Sequence, residues 1–267
     1  MKFRIAIAVA SLLYGAMCWG QAGAASSASN TQAMNAQNEN NLCRIYFSMP
    51  KAGQVQQFEA GRRKHNDFHR SQSDTWAWNT FEVETGDYTG RYVTSTCGHA
   101  WKDFDTWENK MGKADATDAA ANMGPYIQNG TNGFYLYRAD MSLAPPSATP
   151  APRTAVTIYQ LKPGAAADFI ATVKKINDAL SKQPDWPKTS GWLQLVNGGE
   201  APNFVLLNSR QNWAGFEPLS KTVRDVLVET YGEATATELL KTLGDSTERI
   251  WTEEALYRPD LSYVPAK

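Results

Sequence analysis

The chain has 267 residues, with 26 Lys and Arg against 27 Asp and Glu and a formal net charge of −1. A near-neutral chain with no basic stripe argues against a nucleic-acid partner. Its length suits one sizeable domain or two small ones.

At the N-terminus, Lys2 and Arg4 precede an apolar stretch from Ile5 to Met17, and Ala22-Gly23-Ala24 follows. This order predicts a secretory signal peptide over residues 1–24, and hence a periplasmic or secreted protein. The apolar stretch is too short to span a bilayer, and no later run qualifies as a transmembrane segment. Met17 precedes Cys18 where a lipoprotein site wants a small residue. Residues 25–41, ASSASNTQAMNAQNENN, have no apolar period and read as a flexible leader.

The rest of the chain says things twice. CRIYF (43–47) alternates as TAVTI (154–158) does, and both read as strands. KAGQVQQFEAGRRK (51–64) lies over KPGAAADFIATVKK (162–175), matching Lys51, Gly53, Phe58 and Lys64 to Lys162, Gly164, Phe169 and Lys175. The turn glycines Gly86 and Gly198 correspond, as do Trp101 and Trp213. YRADMSLAPP (137–146) returns as YRPDLSYVPA (257–266), identical at five of ten positions. A period of this size signals a repeated supersecondary unit. In the second half the predicted elements are strand 154–161, helix 164–182, strands 190–197 and 203–209, a broken helical stretch 213–243 and strand 252–258. The first half is similar, with a looser second helical region over 101–123.

Strand-helix-strand-strand-helix-strand is the ferredoxin-like split unit. The predicted fold class is α+β: two tandem βαββαβ repeats, 42–146 and 154–267, joined by a Pro-rich linker at 147–153. An antiparallel sheet with helices on one face must cover the other. Two copies can do this for each other, sheet to sheet, as an intrachain α+β barrel, and further pairing as a homodimer stays open.

VTIYQLKPGAAADFIATVKKINDAL resembles the opening of dimeric α+β barrel proteins, in particular the NIPSNAP-like group, and ALYRPDLSYVP is similar to that group's final strand. Ser209, Trp213 and Phe216 resemble the short helix after strand three of antibiotic-biosynthesis-monooxygenase relatives. The first half departs, with MPKAG in place of LKPG. The resemblance implies the barrel fold. It selects no activity, since the superfamily holds binding proteins, cofactor-free oxygenases, isomerases and haem enzymes.

The two halves differ at one place that carries chemistry. Phe169, Val173, Ile176 and Leu180 form an apolar stripe on the second half's long helix. The aligned first-half residues are Phe58, Arg62, His65 and His69. A buried Arg62 needs a carboxylate, a ligand or water to meet it. In a rotated alternative, Val55, Phe58, Gly61, His65 and Phe68 form the inner face and leave Arg62 and His69 at the margin.

His65 and His69 are spaced i, i+4, so both imidazoles can reach one metal. Strand three ends beside the start of strand one and the end of the first helix. This brings Cys43, Cys97, His99 and His69 towards one edge, supports a Cys43–Cys97 disulfide, and permits a metal or haem site of His65, His69 and His99. Trp78 and Trp107 have no aromatic counterpart in the second half; with Tyr46 they are candidates for lining a ligand pocket. No P-loop, GxGxxG, GxSxG, CxxC or CxxCH motif is present. The reading with most support is a small-molecule-binding protein of the cell envelope with its pocket in the first half. A cofactor-free oxygenase or isomerase and a His-ligated metal or haem protein are the alternatives.

Overall fold

The alternating segment at Cys43 extends to strand β1, Leu42–Pro50, in the computed structural model, which describes residues 41–144 and 149–266. The predicted signal peptide, all but Asn41 of the leader, and the start of the linker lie outside the described residues. Helix α1 (Val55–Ser71) follows, then β2 (Asn79–Val83) and β3 (Tyr92–His99). The looser region resolves into α2 (Trp101–Trp107), a π turn (Glu108–Gly112) and α3 (Lys113–Asn122), and β4 (Ile127–Tyr137) closes the half. The second half runs β5 (Arg153–Leu161), α4 (Ala166–Ser181), β6 (Ser190–Asn197), β7 (Asn203–Arg210), α5 (Val223–Tyr231), α6 (Glu233–Ser246) and β8 (Thr247–Tyr257). The predicted stretch 213–243 breaks at Gly232, whose φ of 82° ends α5 and starts α6.

All neighbouring strands are antiparallel, and the eight close into a barrel in the order β1-β3-β2-β8-β5-β7-β6-β4. The halves contribute β4-β1-β3-β2 and β8-β5-β7-β6, the same order in each. They do more than cover each other sheet to sheet. β2 hydrogen-bonds to β8 and β4 to β6, so no sheet edge stays open. Inside the barrel, Cys43, Ile45, Tyr137 and Leu193 pack together. Cys43 sits opposite Cys97 in the β1–β3 register, and a disulfide joins them. Among the described residues, no helix is long and apolar enough to cross a membrane.

The repeated tail phrases close each half in the same way. Arg138 pairs in bidentate fashion with Asp140, and Arg258 does so with Asp260. Each sits in a single 3₁₀ turn after the last strand.

The helices cover the outside of the barrel. Phe169, Val173, Ile176 and Leu180 of α4 are buried, as its stripe predicts. At about 1.5–3 kcal/mol for each large apolar side chain buried, this face holds the second half's helix down. On α1 the buried residues are Phe58, Gly61, Arg62, His65, Asn66 and His69, whereas Val55 is exposed. The rotated alternative is therefore not the arrangement adopted: the polar face looks inward.

Candidate metal centre

Helix α1 presents Arg62, His65, Asn66 and His69 on one face because residues three and four apart stack along a helix. Helix α3 runs antiparallel against that face. The π turn before it adds a residue to the preceding turn and so sets which side of α3 meets α1. That side carries Asp115 and Asp118. Asp118 Oδ1 lies 2.8 Å from His65 Nδ1. On the other imidazole, Asp74 Oδ2 lies 2.9 Å from His69 Nδ1. A carboxylate accepts only, so each ring carries a proton on Nδ1, and in the neutral form of each ring Nε2 is a lone pair.

The two Nε2 atoms are 3.2 Å apart. Asp115 Oδ1 is 3.4 Å from each. It is buried and makes no hydrogen bond. Three lone-pair donors thus form a nearly equilateral triangle. A metal bound at about 2.0–2.1 Å with tetrahedral angles holds its donors about 3.3–3.4 Å apart, which is this triangle.

The surroundings hold the rings in place. Asp74 accepts from Trp78 Nε1 at 2.9 Å, from the Trp76 backbone N–H at 3.1 Å and from Trp107 Nε1 at 3.3 Å. Burial alone would raise the Asp74 carboxyl, but hydrogen bonds from His69, Trp78 and the Trp76 backbone hold it below its ordinary value. Burial lowers His69 and outweighs the Asp74 bond, keeping the ring neutral. Both directions describe a neutral imidazole donating to an ionised carboxylate. The His69 ring lies between Trp78, 5.4 Å away, and Tyr263, 5.5 Å away. Tyr263 in turn donates to the Asp74 carbonyl at 2.7 Å.

The structure redistributes the residues singled out from sequence. His65 and His69 come together. His99 stands apart: its Nε2 is 2.6 Å from Thr96 Oγ1 and its ring stacks on Trp76 at 3.7 Å. Among the described residues, the group whose donor atoms lie close enough to share one ion is His65, His69 and Asp115, and His99 is not part of it. The edge of the sheet does collect His99, but its ring turns towards Trp76 and away from α1. Trp78 and Trp107 pack with Met111 and Tyr263 behind His69, with Tyr46 at the margin. Both indole N–H groups are taken by Asp74, so they orient the site's carboxylate. Burial pushes the Tyr46 phenol up to about 12, and Asp115 adds to the shift. Arg62 is buried and its Nε donates to the Leu261 carbonyl at 3.1 Å.

Asp74, Asp115 and Asp118 escaped sequence reasoning. Asp115 and Asp118 at i, i+3 in the otherwise Ala-rich KADATDAAAN were a usable signal. Asp74, in the loop after α1, shows no such spacing. Beside the centre, a surface groove of about 650 Å³ runs along the π turn and α3, lined by Phe68, Met111, Lys113, Thr117 and Asp118 among others.

A haem does not fit these residues. A macrocycle on His65 Nε2 or His69 Nε2 would occupy the 3.2 Å between them, and His99 Nε2 is engaged by Thr96. The donor set suits a single small ion.

No protein-family model and no curated protein matches the chain. Solved structures do. An anthrone oxidase-like protein superposes with a TM-score of 0.53 at 6% identity, covering 86% of this chain and 96% of that one. A candidate monooxygenase from Lactobacillus acidophilus NCFM gives 0.51 at 8% identity, covering 84% and 96%. A candidate chlorite dismutase gives 0.50 at 9% identity, covering 82% and 96%. At these identities the likeness is one of fold, and the chain has the ferredoxin-like α+β barrel fold that those proteins share.

Proposed function

We propose that this chain is an exported metal-dependent protein whose first half holds one divalent transition-metal ion on His65 Nε2, His69 Nε2 and Asp115 Oδ1. The observation that carries this reading is the triangle of three bare lone pairs within 3.4 Å of one another. Without a cation at its centre, such an arrangement repels itself. Charge agrees. Three carboxylates (Asp74, Asp115, Asp118) and one guanidinium (Arg62) surround the two histidines, so a dication bound by neutral imidazoles balances the cluster. Each histidine also donates its other nitrogen to a carboxylate, the usual outer support of a metal-bound imidazole.

Three protein donors leave coordination positions open, which is the arrangement of catalytic rather than structural centres. Asp115 keeps 19% of its side chain exposed, and the adjoining groove gives solutes an approach. An ion here would supply Lewis acidity to an oxygen ligand. The protein supplies fixed donors, a dry aromatic wall at His69 and a buried cation at Arg62. The repeated tail phrase and identical strand order support a duplicated half as the origin of the barrel. The first 24 residues and the Cys43–Cys97 disulfide support export to an oxidising compartment.

The test is metal analysis on protein purified from its native envelope, with calorimetric titration of the stripped protein. One equivalent of metal per chain is expected, with affinity falling by ~100-fold or more in Asp115→Ala. Equal affinity in Asp115→Ala and wild type would remove Asp115 from the centre and end this assignment.

A further inference from the structure

Arg62 is a buried charge that the metal donors alone leave unexplained. It is 4% exposed. Its Nε is used by the Leu261 carbonyl, but Nη2 is sealed from solvent with no hydrogen-bond partner. Among the described residues, no carboxylate lies within salt-bridge distance of it, although the exposed neighbour Arg63 has two. A buried cation without a counterion costs several kcal/mol. Burial pushes the Arg62 pKa down to about 10, and the Asp115 carboxylate pulls it back up across the gap between them. Arg62 stands one helical turn from His65, on the same buried face. In the same turn, Asn66 Oδ1 is also buried and unpartnered. Two polar groups with unused capacity therefore adjoin the metal donors.

We infer that the metal centre takes a small carboxylate as its exogenous ligand, with one carboxylate oxygen on the ion and the other accepting a hydrogen bond from Arg62 Nη2. This rests on the metal reading above. A carboxylate suits the groups present for two reasons. Its two oxygens can meet two cations on one helix face at once, and a charge-assisted N–H···O bond satisfies the unpartnered Nη2 of the guanidinium. A phosphate would bring further oxygens, and the face offers no further free cation to meet them. Asn66 Oδ1 is left to accept from a water or hydroxyl carried by the ligand or the ion.

The experiment uses the full mature chain loaded with cobalt(II), whose visible absorption reports its ligands, titrated separately with acetate and with inorganic phosphate. Wild type, Arg62→Gln and the exposed control Arg63→Gln are compared. The expected result is a saturable change of the cobalt bands with acetate in wild type and Arg63→Gln. In Arg62→Gln, cobalt should still bind but the acetate concentration needed should rise by ~10-fold or more, the loss of one charge-assisted hydrogen bond.

Identical acetate titrations in wild type and Arg62→Gln would remove Arg62 as the anchor. A band that responds to phosphate and not to acetate would overturn the carboxylate class. Cobalt that binds with bands indifferent to both anions would overturn this inference while leaving the metal reading intact. Failure of wild type to bind cobalt would sink the metal reading first and this one with it. If Arg62→Gln does not fold by circular dichroism, Arg62→Met, which keeps an unbranched side chain but no donor or charge, is held to the same outcomes.

Discussion

Gly61 on α1 packs directly against the Asn122 backbone on α3: a Cβ on Gly61 would collide with the Asn122 carbonyl oxygen. Four residues further along α1, His65 meets Asp118, and four further again, His69 meets Asp115. The missing Cβ thus sets the helix separation at which imidazole and carboxylate reach each other. Gly61→Ala should push α3 away. The cost is that of overpacking, about 1–3 kcal/mol or more, a fall in Tm of roughly 2–4 °C per kcal/mol for a domain of this size. Metal affinity should fall with it. Thermal unfolding with and without metal measures both, and an unchanged Tm would contradict the tight crossing.

Asp74 is the post on which the aromatic wall hangs. Asp74→Ala leaves the buried Trp78 and Trp107 indole N–H groups and His69 Nδ1–H without an acceptor. Each unsatisfied donor costs about 1–3 kcal/mol. Metal affinity should drop by ~10–100-fold, as for other supports of metal-bound histidines. Urea unfolding and metal titration read the two effects. A variant that loses stability but keeps full metal affinity would show that Asp74 builds the wall without steering the ligand.

His99 supplies a pH dependence away from the His65–His69–Asp115 cluster. Burial lowers its pKa from 6.5 to about 4, outweighing the opposite pull of Asp103 and Asp74. The unfolded chain therefore binds a proton that the folded chain refuses. Stability is full above about pH 6.5, is lost as pH falls towards 4, and is level below that. The span corresponds to about 3 kcal/mol at most. In His99→Gln this segment of the stability–pH curve should flatten. Denaturant midpoints across the window provide the check, and an unchanged slope would assign the dependence elsewhere.

The Cys43–Cys97 disulfide closes a loop with a sequence separation of 54. By loop-closure entropy it stabilises by about 4 kcal/mol. Cys43→Ala/Cys97→Ala should show that loss in equilibrium unfolding. In the unfolded, unreduced wild type, peptide mapping should find neither cysteine alkylated; labelling at both would disprove the bridge.

Much of the architecture is legible in the sequence because it rests on local rules. Strand alternation at 43–47 and 154–158, the stripe Phe169-Val173-Ile176-Leu180 and the returning YRxDxS phrase are patterns of spacing, and spacing is what a sequence displays. His65 and His69 were legible as a pair for the same reason, since an i, i+4 relation lies within one element. The contrast between the halves marked Arg62.

Tertiary structure decided the rest. Asp74 and Asp115 follow His69 by 5 and 46 residues: the first arrives from the loop after α1, the second on a separate helix turned by the π segment. His99 was expected at the centre because strand topology delivers it to the right edge. Rotamer and packing decide where the ring points, and it points at Trp76. Edge-to-edge closure of the barrel likewise depends on pairing β2 with β8 and β4 with β6, contacts between residues far apart in the chain. Local pattern places most strands and helices and marks the unusual face of α1, while the 3₁₀ turn at Trp213–Phe216 and the early start of β8 at Thr247 do not show in it. Only folding decided which carboxylates meet that face, because donor geometry is set by helix–helix distance and not by spacing along one helix.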